Sequence, residues 1–230
     1  ASTVDSMATV SAGIADLYAS QLGVPRPHVL PNVSPYRDLT PSLVKPDKIR
    51  LIHHGLANRQ RRIETMIEMM KYLDERFELT LMLTGHDEWY LAHLRRLGSH
   101  DPRIRFIDPV QTAQIPAEIN GFDVGVYLLS PYSDNSRLAL PNKFFEFIQA
   151  RLAVAIGPSP EMARIVNRYQ LGVVAEAFSP RALAESLKSL TPAQLDQMKC
   201  NSHAAASELS WNTAAGEFLG RIQDLLLHPD

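Results

Sequence analysis

The chain has 230 residues, of which 45% are hydrophobic and 21% are charged, a composition typical of a folded globular domain and not of a disordered or fibrous chain. Its 23 basic and 25 acidic residues give a formal net charge of -2, so the chain as a whole lacks the positive field that attracts nucleic acid. Cys200 is the only cysteine, which excludes a disulfide framework and a thiolate metal site and favours a reducing, cytoplasmic setting.

The sequence also argues against a membrane span, a signal peptide and a metal centre. No stretch approaches the roughly 18 to 20 apolar residues that cross a bilayer, which leaves only peripheral membrane association open. Residues 1–5 have neither a basic nor an apolar signal region, and we expect them to be a cut made inside a longer protein. His53 and His54 are adjacent on a predicted strand and would point to opposite faces, so we predict no metal site and no cofactor.

The N-terminal part predicts one helix followed by a connector. Ser11 to Leu22 have apolar residues at helical spacing, with Ser11 as the N-cap and Gly23 as the terminator. Prolines then recur too often for a helix, and this stretch is typical of an extended linker; they are Pro25, Pro27, Pro31, Pro35, Pro41 and Pro46. We therefore predict that residues 1–45 are the end of a first domain and a linker, and that residues 46–230 are a second domain.

From Lys48 onward, strands and helices alternate. The predicted strands are Ile49–His54, Phe77–Leu83, Ile104–Ile107, Val124–Leu129, Leu152–Ile156 and Gly172–Ala175. The predicted helices are Arg62–Leu73, Trp89–Leu97, Ile115–Asn120, Lys143–Ala150 and Glu161–Tyr169, with further helices from Pro180, Pro192 and Trp211. This order predicts an α/β fold, a Rossmann-like doubly wound parallel sheet whose ligand binds at the carboxyl ends of the strands. Trp89, Tyr90 and Trp211 are expected to anchor helices in the core.

The first candidate site follows the first predicted strand. Gly55 would let the backbone approach an anion, and Arg59, Arg61 and Arg62 precede a helix whose N-terminus favours negative charge. Arginine can bind phosphate with two parallel hydrogen bonds. The segment has neither the G-x-G-x-x-G nor the G-x-x-x-x-G-K-[ST] pattern. The alternative is an ordinary turn glycine beside solvated arginines.

The second candidate site is the run Pro141-Asn142-Lys143-Phe144-Phe145-Glu146. Pro141 can open a helix, whose first N–H groups then lack partners. Lys143 and Glu146 are three positions apart and share one helix face, where the lysine can neutralise a phosphate and the glutamate can accept hydrogen bonds from ribose hydroxyls. The alternative is a surface ion pair that contributes only about 0.2 to 0.5 kcal/mol.

These segments together carry a family resemblance. Residues 141–146, followed by Arg151-Leu152-Ala153-Val154-Ala155-Ile156-Gly157, resemble the P-x-K-x-x-E-x-x-A-x-G-x-P-V-V region of GT-B glycosyltransferases of the group 1, family 4-like type. Ala8-Thr9-Val10-Ser11 with Pro31-Asn32 resembles the approach to the interdomain linker in that family. Gly55 to Arg62 resembles the family's phosphate loop G-R-L-x-x-x-K-G, and residues 122–126 resemble its "aDv.v.PS" strand. The resemblance spans nearly the whole chain in the family's order.

The resemblance implies the C-terminal, donor-binding domain of a retaining, metal-independent hexosyltransferase. The donor would be a nucleotide-diphosphate sugar, with UDP favoured, and a missing N-terminal domain would hold the acceptor sugar or glycan, so this chain alone is expected to be inactive. Glu146 would bind the ribose. Arg59, Arg61 or Arg62, together with Lys143, would stabilise the negative charge of the departing diphosphate. This would be electrostatic catalysis without a metal. Gly55, Gly85, Val110 and Asn142 would lie beside the donor.

One position departs from the family. The family pattern is E-x7-E, and the residue eight positions before Glu146 is Leu138, so recognition of the sugar ring lacks its usual carboxylate. Asp134 or Asn135 on the preceding loop could replace it. Two alternatives stay open: a degenerate GT-B domain that binds without transferring sugar, and a sugar-nucleotide epimerase or hydrolase of similar fold, since fold alone does not separate these functions.

Overall fold

The computed structural model describes residue 4 and residues 6–227. Residues 1–3 and 5 lie outside the described residues, as do residues 228–230. Most of the stretch 1–5, where we expect a cut inside a longer protein, is therefore not described. The strands of the described part are β1 (Ala8–Thr9), β2 (His28–Val29), β3 (Ile49–Leu56), β4 (Phe77–Thr84), β5 (Ile104–Ile107), β6 (Val124–Tyr127), β7 (Ala153–Ile156) and β8 (Gly172–Val174). Its α-helices are α1 (Ala12–Leu22), α2 (Glu64–Met69), α3 (Glu88–Gly98), α4 (Ile115–Ile119), α5 (Asp134–Arg137), α6 (Asn142–Gln149), α7 (Pro160–Tyr169), α8 (Pro180–Lys188), α9 (Pro192–Ala205) and α10 (Trp211–Leu227).

Strands β3 to β8 form one parallel sheet in the order β5-β4-β3-β6-β7-β8. The predicted doubly wound α/β sheet is thus confirmed. The strand order reverses between β3 and β6, so the crossover connections leave in opposite directions and open a crevice at the carboxyl ends of these two strands.

The core is divided by the sheet into two apolar clusters. Leu51, Leu81 and Val126 face helices α2, α3 and α8 on one side. Ile52 and Val154 face helices α4, α6 and α7 on the other side. Successive strand residues alternate between faces, and a sheet covered on both faces is therefore apolar at consecutive positions.

Helix α6 packs against β6 through the ring of Phe147. A Cβ atom added at Gly125 in β6 would lie 2.3 Å from Cγ of Phe147, so only glycine leaves room for this ring. At the N-terminus of α6, Lys143 lies beside the carboxyl end of β3, since a Cβ atom added on Gly55 would lie 2.8 Å from its Nζ.

The N-terminal segment contains two strands that we did not predict. Helix α1 has the expected N-cap, because Ser11 Oγ accepts the N–H of Ile14, and Gly23 ends the helix with φ 62°. Before and after α1, β1 and β2 pair in parallel, with Ala8 opposite His28. Strands of two residues have no alternation that a sequence pattern could reveal.

The linker after β2 is bound tightly to the sheet domain. Arg151 is fully buried with φ 62°, and its guanidinium donates hydrogen bonds to the carbonyl oxygens of Leu39 (3.1 Å) and Arg37 and lies over the ring of Tyr36. Further hydrogen bonds join Trp211 to Ser34, Asn212 to Tyr36, Gln149 to Arg37, Asn120 to Thr40, Lys199 to Ser42 and Asp196 to Val44. Residues 34–44 are therefore held against the sheet domain and are not a flexible linker.

Several expected boundaries and exposures were wrong. Helix α2 begins at Glu64, not at Arg62, because Arg62 has left-handed backbone (φ 46°) and ends a short 3-10 turn, Arg59–Arg61. Of the three aromatic residues expected in the core, Tyr90 is buried, whereas Trp89 is 62% and Trp211 43% exposed. Among the described residues, no helix is both long enough and apolar enough for a membrane crossing.

Candidate active site at the carboxyl edge of the sheet

A cleft of about 420 Å³ opens beyond the carboxyl ends of β3, β4 and β5, against the N-terminus of α6. Its lining residues are His54, Gly55, Arg61, Met82, Thr84, Pro109, Val110, Thr112, Ile115, Pro141, Asn142, Lys143 and Glu146. The cleft borders β3, one of the two strands between which the strand order reverses, and open α/β sheets bind their ligands near such a reversal.

The N-terminus of α6 faces this cleft. Pro141 is the N-cap and provides no side-chain hydrogen bond to the first turn. The first N–H groups of an α-helix have no partner within the helix, and the helix dipole places partial positive charge there. Asn142 and Lys143, the first two residues of α6, therefore offer backbone donors suited to an anion.

Lys143 is the only lysine in the cleft lining, and it is 6% exposed. Its Nζ lies 3.5 Å from Nε2 of His53 and 5.5 Å from the ring centroid of Tyr127. Burial and, after it, the positive charge of Arg61 lower the pKa of Lys143 to about 7, although the charge of Glu146 acts in the opposite direction. A buried lysine with this pKa gains most from a ligand that brings negative charge.

Glu146 lies one turn beyond Lys143 on α6 and is also 6% exposed. Burial raises the pKa of its carboxyl, and Lys143 partly offsets this rise. Its Oε2 is 3.5 Å from Nε2 of His54, whose pKa burial lowers to about 3. His54 is therefore neutral at neutral pH, and its Nε2 has no hydrogen-bond partner among the described residues. This pair leaves polar groups free to bind a ligand with hydroxyl groups.

The arginines after β3 do not all reach the cleft. Arg61 is half-buried and lines it. Arg59 instead forms an exposed ion pair with Asp87 at 2.8 Å and lies 4.5 Å over the ring of Trp89. Arg62 is exposed and is not among the lining residues. Arg59 and Arg61 lie two positions apart in a 3-10 turn, which has three residues per turn, so their side chains project in different directions.

The structure brings six of the sequence-predicted site residues together and leaves three outside. Gly55, Arg61, Val110, Asn142, Lys143 and Glu146 line the cleft. Gly85, Arg59 and Arg62 do not; a Cβ atom on Gly85 would instead meet the carbonyl oxygen of Ala57 at 3.3 Å.

Sequence reasoning missed the lining residues His54, Met82, Thr112 and Ile115 as site residues. A usable signal existed only for the histidines. Two consecutive polar residues in a strand that is buried on both faces need partners, since an unpaired buried polar group is costly. The adjacency of His53 and His54, from which we predict no metal site, is equally consistent with a buried polar site.

Leu138, the residue in place of the family's first glutamate, lies outside the cleft lining. It is 7% exposed. A Cβ atom on Gly13 would lie 2.7 Å from its Cδ2, and its carbonyl oxygen accepts a hydrogen bond from Ser11 Oγ at 2.7 Å. Leu138 thus joins α1 to the loop before α6. Asp134, which could replace the missing carboxylate, is exposed and pairs with Arg137.

The cleft combines features that suit a diphosphate linked to a ribose. Two cationic side chains and a helix N-terminus provide positive charge, and a buried carboxylate lies one helical turn away. Positive groups fixed at such a position stabilise negative charge that develops on a departing phosphate. Within the described part of the chain, no three His, Cys, Asp or Glu side chains are grouped to hold a metal ion.

Comparison with solved structures supports the same fold. Sucrose-phosphate synthase from Thermosynechococcus elongatus superposes with a TM-score of 0.80 at 13% identity, over 98% of this chain and 59% of that protein. The pneumococcal O-GlcNAc transferase GtfA in complex with UDP and GlcNAc gives 0.70 at 15% identity, over 97% and 46%. Anabaena Alr3699/HepE in complex with UDP and glucose gives 0.65 at 13%, over 95% and 54%. The chain thus spans about half the length of these proteins.

A comparison with curated protein sequences finds no match. The sequence profile of the family described as "Glycosyl transferases group 1" matches residues 48–191. This match covers more than half of the chain and contains the six strands of the main sheet, the cleft and helix α6. The chain therefore belongs to the group 1 glycosyltransferases and has the GT-B type of Rossmann-like domain.

Proposed function

We propose that this chain is the donor-binding domain of a retaining, metal-independent glycosyltransferase that takes a nucleotide-diphosphate sugar. The observation that carries the proposal is the convergence of Arg61, Lys143 and the N-terminus of α6 on one cleft, with Glu146 one turn away. UDP is the favoured nucleotide, because GtfA and HepE have been solved with UDP.

In this proposal each polar group has a defined role. Arg61, Lys143 and the N–H groups of α6 bind the diphosphate. As the bond from the sugar to the diphosphate breaks, these groups stabilise the charge that develops on the leaving oxygen. Glu146 accepts hydrogen bonds from the ribose hydroxyls, and the backbone near Val110 contacts the base.

The acceptor is proposed to bind to a further domain. The chain spans only about half of the structures it resembles, with 59%, 46% and 54% coverage of the three proteins above. A second cleft of about 440 Å³ lies between β1, β2 and α10, and its apolar lining includes Phe218, Ile222 and Leu225. An exposed apolar surface of this kind suits contact with another domain. In this proposal, the chain by itself binds donor but transfers no sugar.

Leu138 favours one alternative function, a GT-B domain that binds nucleotide without transferring sugar. An apolar side chain that packs against Gly13 cannot accept hydrogen bonds from a sugar ring. For this domain to take part in sugar transfer, Asp134 or Asn135 would have to bind the sugar instead of Leu138.

The deciding experiment is thermal unfolding with UDP, GDP and ADP and with their glucose conjugates, in the presence of EDTA. A ligand at 100 times its dissociation constant stabilises by about 2.7 kcal/mol. We expect a selective shift with UDP compounds that is lost in Lys143→Ala and in Glu146→Ala. Arg168→Ala, which removes an exposed ion pair with Glu208 outside the cleft, is the matched control and should leave the shift unchanged.

Three results would separate the functions. A shift with UDP but equal affinity for UDP and UDP-sugar supports the non-transferring domain. Cleavage or epimerisation of the donor without an acceptor supports the hydrolase or epimerase. No shift with any nucleotide in the folded chain overturns donor binding by this domain. With the full-length protein and an acceptor, NMR of the product anomer tests retention.

A further inference from the structure

His53 has a polar environment that determines which of its ring nitrogens carries the proton. The residue lies in β3 and is fully buried. Its Nδ1 is 2.8 Å from the carbonyl oxygen of Val126 in β6. A carbonyl oxygen only accepts hydrogen bonds, so Nδ1 must be the protonated nitrogen of the neutral ring, and Nε2 then has a free lone pair.

That lone pair faces Lys143. The distance between His53 Nε2 and Lys143 Nζ is 3.5 Å, and an ammonium group has three donors and no acceptor. The histidine stays neutral, because burial and, after it, the charge of Lys143 lower the pKa of His53 well below its usual value. A neutral Nδ1–H imidazole is therefore a suitable acceptor for the lysine.

The other groups around Lys143 do not perform this task. Arg61 repels the ammonium, and Glu146 attracts it without a hydrogen bond in this structure. The ring of Tyr127 lies 5.5 Å away. Gly55 provides space, since a Cβ atom there would approach Nζ to 2.8 Å. Among the described residues, His53 is the one acceptor within hydrogen-bond distance of Nζ.

We propose that His53 is a positioning residue: the Val126 carbonyl orients its ring, and Nε2 then holds the Lys143 ammonium at the cleft, ready for a diphosphate. The inference rests on the proposed donor-binding function and extends it by a residue outside the cleft lining. The hydrogen bonds between Val126 and His53 and between His53 and Lys143 link two adjacent sheet strands to the helix proposed to bind the anion. Preorganised charge of this kind binds a ligand without the cost of ordering a long side chain.

Two substitutions of His53 separate its hydrogen bond to Val126 from its hydrogen bond to Lys143. In His53→Asn the shorter amide can still donate to Val126 but no longer reaches Lys143. In His53→Gln the longer amide can place an oxygen near the former Nε2. We expect UDP affinity of the full chain to fall about tenfold in His53→Asn and to stay within about threefold of the native value in His53→Gln, because a hydrogen bond to a charged group is lost only in the first. Native affinity in His53→Asn, or equal loss in both variants, overturns the proposal.

A second measurement does not depend on ligand binding or on a variant of His53. In chains with 15N-labelled histidine, NMR reports the tautomer of each ring. We expect His53 to carry its proton on Nδ1 at pH 7, and the Nε2 resonance to move in Lys143→Met. The proposal is overturned if His53 carries its proton on Nε2, or if its Nε2 resonance is the same in Lys143→Met as in the native chain. If native chain and Lys143→Ala bind UDP alike, donor binding at this cleft fails, whereas the tautomer result still decides the role of His53.

Discussion

A Cβ atom added to Gly55 would lie 2.8 Å from Nζ of Lys143, so the absence of a side chain on the strand end is what makes room for the buried ammonium. Gly55 also has φ 114°, a backbone conformation that other residues rarely adopt. Gly55 near the end of β3 and Lys143 of α6 thus form one structural unit, although 88 positions separate them.

Gly55→Ala should therefore impair both stability and ligand binding. We expect the free energy of unfolding to fall by about 1 to 3 kcal/mol from backbone strain, and UDP binding to weaken as Lys143 is displaced. Gly23→Ala is the matched control, because Gly23 has φ 62° but no atom within 4 Å of its added Cβ. Urea unfolding and UDP titration of both variants would test this, and weakened UDP binding in Gly23→Ala would contradict it.

Arg61→Ala and Arg59→Ala should have different effects, although the residues are two positions apart. Arg61 lines the cleft, and its loss should weaken UDP binding by about tenfold, the effect of one charge-assisted hydrogen bond. Arg59 pairs with Asp87 on the surface, and its loss should leave UDP affinity unchanged. Calorimetric titration would decide, and a reversed order would show that the loop adopts another conformation when ligand binds.

UDP binding should take up a proton near neutral pH. The pKa of Lys143 is about 7 in the ligand-free structure, and a bound diphosphate should raise it by favouring the charged form. Above pH 7 the free lysine is mostly neutral and the bound lysine is charged, so affinity should fall by up to about tenfold per pH unit until the pH reaches the raised pKa.

Calorimetry in buffers with different heats of ionisation would measure this proton uptake. Lys143→Arg keeps its charge at these pH values, and its binding should show no uptake from this position. Identical uptake in the native chain and in Lys143→Arg would assign the proton to another group.

Removal of Lys143 should stabilise the ligand-free domain while it abolishes binding. The unfolded lysine has a pKa near 10.5 and the folded one a pKa of about 7, so the unfolded state binds more protons between these values. Stability of the native chain should therefore rise with pH across this window. Lys143→Met should lack this rise and gain about 1 to 4 kcal/mol at pH 7, as when other buried charges are replaced by apolar residues. Urea unfolding from pH 7 to pH 9.5 would test both effects, and a destabilised Lys143→Met would contradict them.

Arg151→Ala should destabilise the domain by releasing its linker. Its guanidinium donates to the carbonyl oxygens of Arg37, Leu39 and Gln149, and their simultaneous loss should lower the free energy of unfolding by about 2 to 4 kcal/mol. Arg26→Ala, which removes an exposed ion pair with Asp16, should change it by less than about 1 kcal/mol. Faster proteolysis within residues 34–44 of Arg151→Ala alone would identify the linker as the released segment.

Much of the fold could be predicted because it is encoded locally. Apolar runs of strand length alternate with amphipathic helical segments, and Ser11 and Gly23 mark the ends of α1 in the sequence itself. The order of these elements limited the topology to a doubly wound sheet, and that sheet places the ends of β3 and β6 at one edge. Lys143 and Glu146 could be assigned to a shared helix face from their spacing alone.

What the sequence determined by itself was therefore the succession of elements, the sheet class and the family. The tertiary structure decided which polar groups meet: Lys143 with His53, Arg151 with the linker carbonyls, and Arg61 but not Arg59 with the cleft. The physical reason is that periodicity and capping act within a few residues, whereas the contacts of Lys143 and Arg151 join groups 90 to 114 positions apart. Their geometry exists only once the sheet and helices have packed.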